Sequence, residues 1–156
     1  MKKHPYGTID PLKSVAVADR VLDEFFGITR RLRIKSFLAF GLCLGLYRDG
    51  EYIEGDNDLD VGVVCDKKKK KRLINALINN GFTQGRSFRR KNTHFHKNKI
   101  LVDVHFYETP GIFYTTLEVM KYKDKEYPAP YPVKVYLAAC YSDWKIKQDE
   151  TCRKGL

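Results

Sequence analysis

Apolar residues recur at helical spacing near the start of the chain. Val15, Val17, Ala18, Val21, Leu22, Phe25 and Phe26 form one stripe. The pattern predicts a helix over 11–33, with Asp10 as its N-cap and Pro11 in its first turn. The period then changes. "SFLAFG" (36–41) reads as a short buried strand ending at Gly41, and "LCLGLYR" (42–48) fits one or two helical turns. "DLDVGVVC" (58–65) alternates, with Leu59, Val61 and Val63 on one side and Asp58, Asp60 and Gly62 on the other, which predicts a strand. "DKKKKKRLINALINNGF" (66–82) reads as a helix capped by Asp66 and closed near Gly81. "SFRRKNTHFH" and "ILVDVHFYE" flank 97–99 as the arms of a β-hairpin, which "ETPG" (108–111) ends. "YPAPYPVKVYLAACYSDW" reads as a proline-punctuated loop leading into a helix over 133–141. The order α-β-(α)-β-α-β-β-β-α predicts a mixed α/β fold. It is read as one domain over 1–156 with its core at about 11–147, without repeats or linkers.

Composition narrows the class. Apolar residues make up 43% and aromatics 13% of 156 residues, enough to build a core and too many for a disordered chain. No apolar run approaches about 18 residues, so no membrane span is expected. "MKKHPYGTID" lacks the apolar segment of a secretory signal, which points to the cytoplasm. Cys43, Cys65, Cys140 and Cys152 are widely spaced with no CxxC pair, and are expected as reduced thiols. The excess of 29 Lys and Arg over 19 Asp and Glu, net +10, favours an anionic partner.

Against that basic background, Asp56, Asp58 and Asp60 follow one another at two-residue spacing. Carboxylates so close repel one another and lose hydration, so a positive group is expected between them. Asp58 and Asp60 project from one face of a strand, and Asp56 joins them if the strand starts early. Asp103, between Val102 and Val104, is a third carboxylate on an apolar strand. Three such oxygen donors suit a hard divalent cation, Mg²⁺ first and Mn²⁺ as the alternative. The glycine turn "GLCLG" precedes them. Its backbone N–H groups, at the start of a helical turn, can hold a phosphate, and Arg48 could reach the same anion. Together these make a phosphoryl-transfer arrangement.

The stretch "GLCLGLYRDGEYIEGDNDLDVGV" resembles the G-T-x-L-G-x-x-R-x-G-x-x-I-x-x-D-x-D-[IVL]-D signature of the LicD/fukutin family, phosphotransferases with a nucleotidyltransferase-type fold. "ILVDVHFYE" resembles that family's second carboxylate strand, and "YPAPYPVKVYLAACYSDWKIK" its closing V-P-x-P…YL…Y-G-D-W. The resemblance implies a twisted mixed β-sheet flanked by helices. It implies transfer of a phospho-alcohol, of the phosphocholine or ribitol-phosphate type, from a CDP-linked donor to a carbohydrate or glycopolymer hydroxyl. Carried onto this chain, it implies that Asp58 and Asp60 bind Mg²⁺ and that Asp103 is the third ligand or the general base. Gly41, Gly45 and Arg48 would hold donor phosphates. The chain departs from the signature at Leu42, where the family usually carries Thr or Ser, at Glu54-Gly55, and at Ser142.

Two rivals stand beside this reading. One is nucleotidyl transfer from an NTP on the same fold. The other is a non-catalytic basic module for nucleic acid or an acidic polymer, which the net charge and Leu42 favour. His94 and His96 share Asp103's face if the hairpin turn is the two residues Asn98-Lys99, and the opposite face if the turn has three. His105 shares Asp103's face by alternation. The run 67–72 and the cluster Arg86, Arg89, Arg90 and Lys91 are basic surfaces, and Tyr107 and Trp144 are the aromatics to consider for base or sugar contact.

Overall fold

A computed structural model describes residues 7–86 and 92–147. Asp10 caps a short 3-10 turn, Pro11–Ser14, by accepting the Leu12 N–H at 2.8 Å, and the chain runs on into α1, Val15–Arg31. Next come β1 (Lys35–Leu38), α2 (Phe40–Arg48), β2 (Asp58–Val64) and α3 (Lys67–Asn79). They are followed by β3 (Thr83–Gln84), β4 (Asn92–Lys97), β5 (Ile100–Tyr107), β6 (Leu117–Tyr122), β7 (Lys125–Pro130) and α4 (Val133–Cys140). Five strands form a mixed sheet in the order β1-β2-β5-β4-β3, while β6 and β7 pair as a separate hairpin. Among the described residues, β2 and β5 pair in parallel and the other strand pairs are antiparallel.

The alternation read from the sequence sorts the sheet into an apolar and a polar face. Leu59, Val61 and Val63 of β2, Val102 and Val104 of β5 and Phe95 of β4 are fully or almost fully buried. They share one core with Val21, Leu22, Phe25 and Phe26 of α1 and with Leu73 and Leu77 of α3. Burying side chains of this size contributes about 1.5–3 kcal/mol each. The opposite face carries Asp58, Asp60, Asp103 and His105.

Asn98 and Lys99 form the two-residue hairpin turn, both with left-handed φ (51° and 64°). Asp66 caps α3 by accepting the Lys69 N–H at 2.8 Å. Two expectations need correction. The first strand ends at Leu38, and Phe40 and Gly41 belong to α2. Residues 127–130 are not loop but part of strand β7, which pairs with β6, a strand the sequence pattern does not mark. Prolines 128 and 130 hide the strand because they cannot donate to a ladder; β7 tolerates them because it pairs on one side only. Cys43, Cys65 and Cys140 are free thiols; Cys152 and residues 87–91, with Arg89, Arg90 and Lys91, lie outside the described residues.

Candidate active site

The parallel ladder between β2 and β5 sets Asp60 directly beside Asp103, with Gly62 beside His105. On the other flank of β5, β4 sets His94 beside Asp103 and His96 beside Leu101. The result is a row of polar groups across three strands. His105 Nε2 lies 3.1 Å from Asp60 Oδ1 and 3.4 Å from Asp103 Oδ2. His94 Nε2 approaches the other oxygen of Asp103, Oδ1, at 3.4 Å. Asp103 is therefore approached from both sides, one oxygen toward Asp60 and His105 and the other toward His94.

The carboxylates are crowded. Burial, followed by the charges of Asp60, Asp56 and Asp103 and a hydrogen bond with Asp56, pushes the Asp58 carboxyl up to about 9 from an ordinary 3.8. The same charges reach Tyr141, just past α4: its phenol is raised first by burial and then by Asp60, Cys140 and Asp56. Asp56 lies outside β2, yet its side chain reaches both Asp58 and the start of α2. A Cβ on Gly41 would come within 2.6 Å of Asp56 Oδ2 and 3.7 Å of Asp60 Oδ2. Gly41 is thus the residue that lets the first turn of α2 close on the carboxylates.

That turn is held in place from two directions. The Ala39 N–H donates to Asp60 O at 3.0 Å, pinning it to β2. The N-cap side chain gives nothing, since Ala39 has no acceptor; instead the Phe40 N–H donates to the Tyr136 hydroxyl of α4 at 2.9 Å. Phe40 itself takes a left-handed φ of 40°, which costs a non-glycine residue about 1–3 kcal/mol. Its ring packs on His105 with centroids 4.8 Å apart.

Two expected phosphate contacts are not brought to this place. Gly45 is buried, and a Cβ there would meet Glu51 O at 2.7 Å, so this glycine serves packing against the following loop. Arg48 is at the far end of α2, about 10 Å along the axis from Gly41 at 1.5 Å per residue. It binds both Asp49 oxygens, at 2.9 and 2.8 Å, and the Trp144 and Ile146 carbonyls. Leu42 points into the core, 3% exposed, so a contact with phosphate on this turn falls to backbone N–H groups. Tyr107 and Trp144 pack on the protein's own rings, Tyr107 on Tyr114 at 4.8 Å and Trp144 on Tyr47 at 5.7 Å. The lysines of the basic run are largely exposed, with Lys70 over the Phe106 ring at 4.5 Å.

The residues present fit a divalent cation. Asp60, Asp103 and His105 each offer a ligand atom, all within 4.8 Å of one another, and Asp58 carries the repulsion that a cation would relieve. Alternation along the strand already puts His105 on Asp103's face. What it could not see was the parallel β2–β5 pairing, which brings His105 rather than His96 to Asp60. Tyr136 and Tyr141 are the tyrosines of the closing motif, which carries no hint of the role each takes at the site.

Comparison with known proteins agrees with this architecture. The family model described as LicD/FKTN/FKRP, nucleotidyltransferase domain, matches residues 33–132. No curated protein matches the chain. Among solved structures, the lincomycin-bound lincosamide antibiotic adenylyltransferase LnuA superposes with a TM-score of 0.60 over 85% of this chain and 89% of its own, at 14% identity. A cytoplasmic RNA terminal U-transferase superposes with a TM-score of 0.45 over 62% of this chain and 30% of its own, at 18% identity. No helix among the described residues is long and apolar enough to cross a membrane. With its sheet, its carboxylate pairing and the family match over well more than half its length, the chain belongs to the LicD/FKTN/FKRP family of nucleotidyltransferase-fold domains.

Proposed function

We propose that this protein transfers a phospho-alcohol group from a CDP-linked donor to a carbohydrate hydroxyl. The observation that carries the reading is the pairing of Asp60 with Asp103 beside the glycine-opened start of α2, within a family match that spans all of these elements. The acceptor oxygen attacks the phosphorus that bears the alcohol. A new P–O bond forms, the bond from that phosphorus to the bridging oxygen breaks, and CMP leaves with that oxygen. The hydroxyl proton passes to Asp103, whose Oδ1 is oriented by His94. Gly41 and the backbone of the first α2 turn receive the donor phosphates. Asp58, Asp60 and Asp103 hold the divalent cation, Mg²⁺ by expectation. When bound, it supplies charge to offset the donor phosphates. The working unit is the single domain formed by the described core, acting in the cytoplasm.

The neighbouring adenylyltransferase structure favours a second reading, nucleotidyl transfer from an NTP with pyrophosphate leaving. Calorimetric titration of CDP-ribitol, CDP-choline, CDP and CTP, each with and without Mg²⁺, separates the two. Cation-dependent binding of a CDP-alcohol, lost in Asp58→Asn, supports the proposal. Tighter cation-dependent binding of CTP replaces it with nucleotidyl transfer. Salt-sensitive binding to RNA that survives loss of Asp58 and Asp60, with no nucleotide binding, replaces it with the basic module.

A further inference from the structure

Resting on the reading of the carboxylates as a cation site, we infer that His105 is a direct ligand of the ion beside Asp60 and Asp103, and that the imidazole nitrogen it adds to the carboxylates makes the centre select Mn²⁺ over Mg²⁺.

The argument begins with spacing. Two ligands about 2.1 Å from one ion, at angles between octahedral and tetrahedral, lie roughly 3.0–3.4 Å from each other. The separations of His105 Nε2 from Asp60 Oδ1 and Asp103 Oδ2 are 3.1 and 3.4 Å. The imidazole is therefore already spaced as a neighbouring ligand in one coordination sphere.

The fold explains why it sits there. By register His105 stands opposite Gly62, not opposite Asp60. The space above Gly62 is filled by the Phe37 ring, which a Cβ on Gly62 would meet at 2.1 Å. Phe40 packs on the imidazole, with ring planes inclined at 54°. Nε2 reaches back along the sheet to Asp60 and Asp103. Phe40 keeps its position through the Tyr136 hydroxyl, so the imidazole is held by packing before any ion arrives.

Donor chemistry then decides the metal. Mg²⁺ is hard, loses water reluctantly and is served by carboxylates and phosphate oxygens. Imidazole nitrogen suits first-row transition ions, of which Mn²⁺ also accepts a carboxylate-rich, octahedral site. Replacing one oxygen donor by nitrogen therefore moves preference from Mg²⁺ toward Mn²⁺.

The test uses the full chain and the metals alone. Mn²⁺ binding is followed by loss of the free-ion EPR signal, with Mg²⁺ as competitor, and the bound ion is examined by electron spin echo envelope modulation. The expected result is Asp60-dependent Mn²⁺ binding, at least about tenfold tighter than Mg²⁺, with ¹⁴N modulation from a coordinated imidazole. His105→Phe should abolish the modulation and lower Mn²⁺ affinity about 10–100-fold, a loss of the size seen when the surroundings of a metal ligand are disturbed. His94→Phe, which removes the other nearby imidazole, should keep the modulation and so assigns it without relying on the first variant's folding. Asp60-dependent Mn²⁺ binding without ¹⁴N modulation overturns the inference but leaves the cation site standing, with His105 a hydrogen-bond partner only. Absence of any Asp60-dependent metal binding overturns both.

Discussion

At the scale of single residues, the site is defined by charge crowding on one side and by missing side chains on the other. Asp58 has a raised folded-state pKa, about 9 against an ordinary 3.8, from burial first and the neighbouring carboxylates second. The folded state therefore holds a proton there that the unfolded chain releases. The stability this contributes is complete below about pH 4 and is lost as pH rises toward 9. Asp58→Asn keeps the shape without the charge. In metal-free protein it should raise the melting temperature at pH 8 and flatten its decline between pH 5 and 9, by about 2–4 °C for each kcal/mol relieved. Scanning fluorimetry across that range checks this, and the same variant should lose turnover. At Gly62 the constraint is steric. A Cβ would press into the Phe37 ring, which stacks on Tyr114 at 4.3 Å. Gly62→Ala should cost about 1–3 kcal/mol in urea denaturation through overpacking. Asp58, Asp60 and Asp103 were legible because alternation along a strand is written in one segment. A motif does not show which way each residue of a helix faces: in the structure Gly45 packs against the following loop and Arg48 pairs with Asp49.

At the scale of elements, local signals predicted local structure well. The Asp66 cap and the stripe on α1 are each decided by residues within a few positions of one another; the hairpin is legible at 97–99, but that its turn has two residues, Asn98 and Lys99, is seen only in the structure. What was not legible depends on pairing at a distance: β2 beside β5, and a β6–β7 hairpin whose prolines disguise it. The helix α3 shows a local conflict that the fold retains. Five lysines and an arginine fill its N-terminal turns, with no acidic residue in the first turn, where the helix dipole favours negative charge. Lys67→Glu and Lys68→Glu should each stabilise the protein by about 0.3–1 kcal/mol at low salt, and less as salt screens the dipole. Chemical denaturation at two ionic strengths measures this. The element that secures the site is α4, through one hydroxyl. Tyr136→Phe removes the acceptor for the Phe40 N–H, and leaving such a donor unmet should cost about 1–3 kcal/mol. Because the change frees the start of α2 rather than any carboxylate, donor KM should rise more than cation affinity falls.

At the scale of the whole molecule, the acidic site is embedded in a protein of net charge +10. On the proposed reading, the basic surface would attract an anionic donor, while the carboxylates would repel it unless a cation were present. Raising ionic strength from about 0.01 to 0.15 M shortens the screening length from roughly 30 to 8 Å. The association rate of a CDP-linked donor with the cation-loaded protein should fall over this range, as stopped-flow fluorescence would record, with a smaller change in dissociation.

The bond between Tyr136 and Phe40 also bears on how the molecule comes together in time. Its two ends are 96 positions apart, and Arg48 spans the same distance to reach the Trp144 carbonyl. Contacts of such separation form late, because a long loop must close before they give any return. On a chain that emerges from its N-terminus, β2 and β5 can pair and bring the carboxylates together while α4 is still being made. The first turn of α2, already pinned to β2 through Ala39, lacks its second tether until that helix docks. On the proposed reading, competence for donor binding would therefore arrive after the sheet has formed, and an unfinished chain would carry its acidic cluster before the start of α2 is fully secured.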